Sequence, residues 1–467
     1  MDLDITTALS GSAGLAGVQW LLGESPAWQA LQTALAALLI DSFTLGEVQL
    51  QRAKYKPGRR LTTHYAAQAR DTVDGREITR LVQANLLPPG SPDPRGDAGA
   101  LAAAQDEAIQ RNLAAPFREL MAAAPEIGLT LLVSPLDPAF PQLARLSDPV
   151  YVRDLLAGEE AIPYTAAAYR INAIRYRPGE RHVLRYQPLD AGGQSDIANT
   201  LYAKVYNSDK GERAYRTAAS VSDWLAEQGG AIAAVRPTTY IASEGLALYP
   251  HVSGTPLSDL LRFQGAETGE YLRAAGAAVR ALHRAPESLV ELKPHSVEKE
   301  LKSIASASEH VGALAPAAGA AIAAMLERAR ELNERLPQEP PAFAYGDFKA
   351  DHLWATAGGM TLIDFDTCYL FDPAIDLGKF LADVHFWFDS YGLDGVPEAQ
   401  EEFLTGYGAT TPERLLRARF YEALVLTKST VRRVKLFDPD WAPRTERLIA
   451  RASAVFDQLE ASVARAV

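Results

Sequence analysis

The chain has 467 residues, 48% hydrophobic and 22% charged, the composition of an ordinary soluble globular protein with room for two or three domains. A formal net charge of -12 leaves no basic excess for broad binding to nucleic acid or an anionic membrane, and is compatible with a cationic or neutral small substrate. One cysteine, Cys368, excludes an intrachain disulfide and points to a reducing cytoplasm.

Met1-Asp2-Leu3-Asp4 is acidic where a secretory leader would be basic, and the first basic residue is Arg52. No apolar run reaches bilayer length, so residues 8–22 read as a core helix or a strand edge. Helices and short strands alternate up to residue 157, broken at 87–96 by a Pro- and Gly-rich run that excludes regular structure. The stretch from Tyr164 to Tyr206 is strand-rich, with strands over 169–176, 181–186 and 200–206. Helices are expected over 211–227, 271–284, 413–435 and 442–464. The result is an α+β chain in three parts. An N-terminal α+β domain spans 1–157, a small β-rich lobe 158–254, and a helical lobe 255–467.

An internal repeat accompanies this division. The run Tyr55-Lys56-Pro57-Gly58-Arg59-Arg60 to Tyr65 parallels Tyr176-Arg177-Pro178-Gly179-Glu180-Arg181 to Tyr186. Continued without gaps, Gln83 falls on Lys204. A duplication of this kind keeps the fold of the small lobe and loses its cation.

Two carboxylates mark the chemistry. Asp347 lies in Tyr345-Gly346-Asp347-Phe348-Lys349-Ala350-Asp351-His352, and Asp364 in Leu362-Ile363-Asp364-Phe365-Asp366, with a Gly358-Gly359 turn between them. The pattern predicts a hairpin that presents one carboxylate from its leading loop and the other just beyond its second strand. Phosphoryl transfer from a nucleotide needs such a pair: one orients the acceptor hydroxyl or takes its proton, the other holds magnesium on the phosphates. There is no Gly-x-Ser-x-Gly elbow, no Gly-x-x-x-x-Gly-Lys-Ser/Thr loop, and with one cysteine no thiolate metal framework.

These motifs, with Asp372-Pro373-Ala374-Ile375-Asp376-Leu377, resemble the aminoglycoside phosphotransferase and choline kinase superfamily, from about residue 164 onward. The resemblance implies a two-lobed fold like that of protein kinases, with ATP and Mg2+ as cofactors. It also implies transfer of the γ-phosphate to a hydroxyl of a sugar, an aminoglycoside or a related polyol. By position it makes Asp347 the catalytic aspartate and Asp364 the principal magnesium ligand. The family usually carries His-Gly-Asp with asparagine five residues after the aspartate; here Tyr345 and His352 stand in those places. Imidazole suits magnesium less well than an amide oxygen. His352 is therefore open to three readings: a metal-facing ligand, a partner of Asp347 or a phosphate, or a packed loop residue. Asp351 or Asp366 is left to complete the metal shell. Lys349 has the offset at which protein kinases carry a lysine facing the transferred phosphate.

In the small lobe the resemblance sets Lys204 on the third strand against the α and β phosphates, with Glu212 or Asp223 as its carboxylate partner. The hairpin covers the phosphates through its Pro178-Gly179 turn, with Arg181 beyond it. Leu246 to Gly254 resembles the hinge that holds adenine, through the carbonyl of Pro250 and the N–H of Val252. Asp372-Pro373 reads as an N-cap and first helical residue, Asp376 as a tether for the catalytic loop, and His283 as structural. The N-terminal domain resembles the cap of maltokinase-type sugar kinases, which favours a carbohydrate or polyol acceptor. The rival reading, a catalytically impaired pseudokinase or nucleotide sensor, rests on Tyr345, His352 and the lysine missing from the first repeat.

Overall fold

Ile5 begins a run of short helices, α1 (Ile5–Ser10), α2 (Gly14–Gly23) and α3 (Pro26–Leu38), the last capped by Ser25 ahead of Pro26. A meander follows: β1 (Phe43–Lys56), β2 (Arg60–Asp71) and β3 (Glu77–Leu86). Residues 87–96 have no helix or strand, as their Pro and Gly content predicts. Then come α4 (Ala98–Gln110), β4 (Met121–Ala124) and β5 (Leu129–Val133). The computed structural model describes residues 4–162, 166–190, 192–263, 265 and 267–466. Tyr164, where the strand-rich stretch was placed to begin, and the first three residues of the acidic start lie outside the described residues.

A similar series of elements follows, with two leading helices in place of three and one added strand. It runs α5 (Leu143–Leu146), α6 (Pro149–Ala157), β6 (Ala168–Arg177), β7 (Arg181–Leu189), β8 (Leu201–Val205), α7 (Lys210–Gln228), β9 (Ile232–Ala234), β10 (Thr239–Ile241) and β11 (Leu246–Pro250), β9 being the added strand. The two five-stranded sheets have one topology, β1-β2-β3-β5-β4 and β6-β7-β8-β11-β10, antiparallel throughout. In each, one face is roofed by the helices that precede it. Thr63, Tyr65 and Ala84 lie against Trp28 and Leu31 of α3. Leu184, Tyr186 and Ala203 share a core with Leu146, Val152 and Leu156. These positions alternate along their strands, as side chains on one face of a sheet must. Tyr55 donates its hydroxyl to Leu9 O at 2.8 Å, and its counterpart Tyr176 donates to Leu136 O. Even the last turn is shared: Gly128 (φ 72°) and Gly245 (φ 57°) precede the final strands. A Cβ there would come within 2.1 Å of Leu87 O and 2.5 Å of Tyr206 O.

The register corrects one expectation. Lys204 lies between Val183 and Ala247, whereas Asn85 lies between Thr62 and Thr130. Thr62 and Val183 are equivalent in the ungapped hairpin, so Asn85, not Gln83, is the counterpart of Lys204. The connection from second to third strand is two residues shorter in the later unit, which an ungapped comparison cannot register.

The face of the first sheet that carries Asn85 packs on β6. Leu81 joins the core around Tyr169 and Tyr176, and Lys54 and Arg52 pair with Glu180 at 3.1 and 3.6 Å.

The remainder is helical around a small sheet. It comprises β12 (Thr255–Pro256), α8 (Leu257–Leu260), α9 (Thr268–Leu282), α10 (Val297–Leu314), α11 (Pro316–Arg335), β13 (Ala342–Ala344), β14 (Leu353–Thr356), β15 (Gly359–Leu362), β16 (Tyr369–Phe371), α12 (Ala374–Tyr391), α13 (Val396–Tyr407), α14 (Pro412–Arg432) and α15 (Trp441–Ala466). The expected catalytic hairpin is β14–β15, and β9 joins its edge in parallel through Met360–Ile232, tying the β-rich lobe to the helical one. Phe348 of the loop after β13 is buried with Phe380 of α12 and Phe403 of α13, whose rings stack at 4.3 Å. Asp372 caps α12 through Ala374 N at 2.9 Å, so the helix starts one residue later than the Asp-Pro pattern suggests. Among the described residues no helix is long and apolar enough to cross a membrane.

Candidate active site

The loop after β13 is held from beneath. Asp376, fully buried in the first turn of α12, accepts hydrogen bonds from Tyr345 N and Gly346 N, both at 2.8 Å, and lies 3.2 Å from His283 Nε2. This fixes Asp347, as the tether expected at Asp376 requires. The other carboxylate, Asp364, follows β15 in the left-handed region (φ 68°), a conformation aspartate tolerates better than most residues.

The three groups singled out in the sequence converge. Lys204 Nζ donates to Asp364 Oδ1 at 2.8 Å and to Asp366 Oδ1 at 3.2 Å. Arg181 adds a second cation, 3.2 Å from Asp366 and 3.8 Å from Asp364. Tyr206 donates its hydroxyl to Asp366 at 3.1 Å. Burial works against the charge on Lys204, but Asp364 and Asp366 outweigh it and raise its pKa. Burial likewise disfavours the Asp364 carboxylate, and Lys204 more than offsets this, so its pKa falls well below the carboxylate range.

Asp347 is gripped by two lysines. Lys379 of α12 pairs with its Oδ1 and Lys349 with its Oδ2 at 3.1 Å. Despite burial, Lys379 and its neighbours hold the Asp347 pKa well below the ordinary value. Sequence reasoning missed Lys379. Its signal is the spacing Asp376-x-x-Lys379, which puts both residues on the helix face turned to the loop of Asp347.

His352 bridges the two carboxylates, 3.6 Å from Asp347 Oδ2 through Nδ1 and 3.6 Å from Asp364 Oδ2 through Nε2. Its Nδ1 lies 3.0 Å from the carbonyl of Asp347, which can only accept, so Nδ1 carries the proton. Burial lowers the imidazole pKa to about 4, so the ring is neutral at physiological pH. The unprotonated Nε2 thus faces a carboxylate it cannot bond, and a cation between the two would satisfy both. Tyr345, in place of the usual histidine, braces the loop by donating its hydroxyl to Ile363 O.

A cleft of about 250 Å³ opens beside these groups, lined by Ile174, Val183, Tyr249 and Trp354 and ending at Lys204, Arg175, Arg181 and Asp364. Pro250 and Val252 line it too. His251 N donates to Thr200 O at 3.0 Å, so by strand alternation the Pro250 carbonyl and the Val252 N–H turn away from β8.

Other expected positions fall elsewhere. Glu212 pairs with Arg216 one turn along the exposed side of α7, and Asp223 pairs with Arg236 at 2.7 Å. Neither is a partner of Lys204, whose ammonium is satisfied by Asp364 and Asp366. Gly179 does not line the cleft: its N–H donates to Asp137 Oδ2 at 2.9 Å, drawing the turn toward the link between the two units. Asp351 faces Arg433 at 4.0 Å, and burial and Asp383 raise its pKa.

Among the described residues no three His, Cys, Asp or Glu side chains could hold a metal by themselves. Magnesium does not need them, since one or two carboxylates completed by phosphate oxygens and water form its usual shell. Asp364 and Asp366 fit that donor set, both carboxylates lying within ion-pair distance of the same two cations, Lys204 and Arg181.

The fold is similar to solved structures of low identity. A choline/ethanolamine kinase family protein from Mesorhizobium loti is 16% identical, with 67% of this chain and 97% of that one covered and a TM-score of 0.45. A thermostable mutant of an aminoglycoside phosphotransferase is 17% identical over 62% and 95% of the two chains, with a TM-score of 0.43. An ethanolamine kinase from Plasmodium vivax is 10% identical over 62% and 84%, with a TM-score of 0.42. None of the curated proteins compared with the chain matches it. Residues 180–419, more than half of the 467, match the model of the phosphotransferase enzyme family, and the chain belongs to that family.

Proposed function

We propose that the protein is an ATP-dependent kinase of a small hydroxylated molecule, a sugar or related polyol being the favoured acceptor. The observation that carries this reading is the meeting of Lys204 and Asp364 at the end of one cleft, with Asp347 next to them across His352, which lies between the two carboxylates. Lys204 and Arg181 would neutralise the α and β phosphates, and Pro250 and Val252 would present an acceptor and a donor to adenine. Asp364 and Asp366 would hold magnesium, which would supply charge neutralisation on the phosphates. Asp347 orients the acceptor hydroxyl. A carboxylate held so far below its usual pKa is a weak base. It therefore takes the proton late, as the acceptor oxygen bonds to the γ-phosphorus and the bond from that phosphorus to the β–γ bridging oxygen breaks. Lys349, beside Asp347 at 3.1 Å, would follow charge on the transferred group. The N-terminal unit, with Asn85 in place of the lysine, is a copy of the small lobe that has lost its phosphate contact.

Magnesium-dependent ATP consumption over a panel of sugars, aminoglycosides and other alcohols tests this. One acceptor class should be turned over, and Asp347→Ala should abolish turnover while leaving nucleotide affinity within a few-fold. Nucleotide binding with no turnover across the panel would favour a sensor, and full phosphotransfer by Asp347→Ala would sink the assignment.

A further inference from the structure

The tip of the β6–β7 hairpin carries more positive charge than the carboxylates around it can balance. Arg177 and Arg181 are directly opposite each other across the hairpin, an arrangement that costs stability unless something negative lies between. Arg175, two residues along on the same face, lines the cleft. The N-terminal unit adds Arg52, which pairs with Glu180 in the hairpin turn and leaves its own side chain 37% exposed. Among the described residues neither Arg175 nor Arg177 has an acidic side chain within ion-pair distance. The nearby carboxylates are already engaged, Glu180 by Arg52 and Lys54, Asp364 and Asp366 by Lys204 and Arg181.

We propose that Arg175, Arg177 and Arg52, the last contributed by the N-terminal unit, form a site for a phosphate-type oxyanion at the mouth of the cleft. The oxyanion is supplied either by the outer phosphates of the nucleotide or by an anionic group on the acceptor. Guanidinium groups are suited to this, because their fixed fork of donors matches the oxygens of phosphate. Burial lowers the pKa of Arg175 and of Arg177, and Arg52 adds to the depression of both, as expected of cations gathered without a counter-ion. The N-terminal unit thereby acquires a direct part in binding although it lacks the lysine. The oxyanion site stands on the arginines alone; only the identity of its occupant rests on the kinase reading.

Calorimetric titration of the full chain with pyrophosphate tests the site without any nucleotide. Pyrophosphate should bind, and Arg52→Ala or Arg177→Gln should weaken it about tenfold, the weight of one charge-assisted hydrogen bond. Glu180→Gln should leave binding unchanged or tighten it, because it frees Arg52. Equal affinities in the wild type and both arginine variants would overturn the proposal. So would a Glu180→Gln variant that loses affinity as Arg52→Ala does, since the Arg52–Glu180 contact would then be a tether between units and nothing more. Repeating the titration with saturating magnesium and AMP-PNP separates the two sources. Displacement of pyrophosphate, with weaker AMP-PNP binding in the arginine variants, assigns the site to the nucleotide; retention assigns it to the acceptor. A chain that binds pyrophosphate through these arginines yet neither binds AMP-PNP nor consumes ATP would remove the kinase reading and leave the oxyanion site intact.

Discussion

Lys379 and Asp347 form an ion pair that joins the second turn of α12 to the catalytic loop, and the same ammonium donates to the Gly346 carbonyl at 3.0 Å. The helix that anchors the loop through Asp376 thus also sets the charge state of the aspartate at its tip.

Replacing Lys379 by Met removes the largest favourable charge acting on Asp347. The Asp347 pKa should rise, so the acid limb of the kcat/KM profile should move to higher pH, with Lys379→Arg staying close to the wild type. An unmoved acid limb in Lys379→Met would show that the pair plays no part in tuning the base.

Lys204→Met leaves Asp364 and Asp366 facing each other with Arg181 as their remaining cation. Removing one partner from a buried ion pair costs about 3 kcal/mol or more. A lower melting temperature and at least a tenfold loss in ATP affinity are expected. Unchanged nucleotide affinity, measured on protein still folded by circular dichroism, would take Lys204 out of the phosphate site.

His352 gives the fold a pH dependence of known sign. Its pKa is about 4 in the folded chain, against an ordinary value of 6.5. Between those limits the unfolded chain takes up a proton that the folded chain refuses, so stability falls as pH drops from 6.5 toward 4, by about 3 kcal/mol in all. His352→Asn should flatten the curve in this window, measured by urea unfolding at pH 7 and pH 5. Identical slopes in the two proteins would mean that the imidazole is not buried neutral.

Asp376→Ala leaves the Tyr345 and Gly346 N–H groups and His283 without their shared acceptor in a site closed to water. A loss of about 3 kcal/mol in stability is expected from stranded buried donors. Turnover should fall with it, since Asp347 rides on this loop, while nucleotide affinity should hold because the cleft lining is untouched. Thermal unfolding and steady-state kinetics together check this.

Much of this was legible in the residues. Asp347, Asp364, Asp366 and Lys204 lie in short, patterned segments whose spacing fixes where they point, and the hairpin β14–β15 follows from the Gly358-Gly359 turn between apolar runs. The Tyr-x-Pro-Gly echo falls on the first hairpin of each of two sheets that share one strand order. What failed did so for lack of long-range information. Glu212 and Gly179 sit at plausible spacings, but their partners, Arg216 and Asp137, were decided by helix rotation and by the packing of the link between units. The pair α10 and α11 escaped notice, α11 because its alanine-rich first turns carry little contrast between faces. The two-residue difference that makes Asn85 the counterpart of Lys204 lies in a loop, where length is unconstrained.

The same face of two sheets serves two ends in this chain. On the first sheet it accepts the hairpin of the second, with Lys54 and Arg52 gripping Glu180; on the second sheet the same surface stays open as a cleft. Such head-to-tail docking has no built-in stop, since every unit offers both a hairpin and a receptive face. On the second sheet that face ends at Lys204, and the helical lobe, joined through β9 and β15, supplies the carboxylate that meets it.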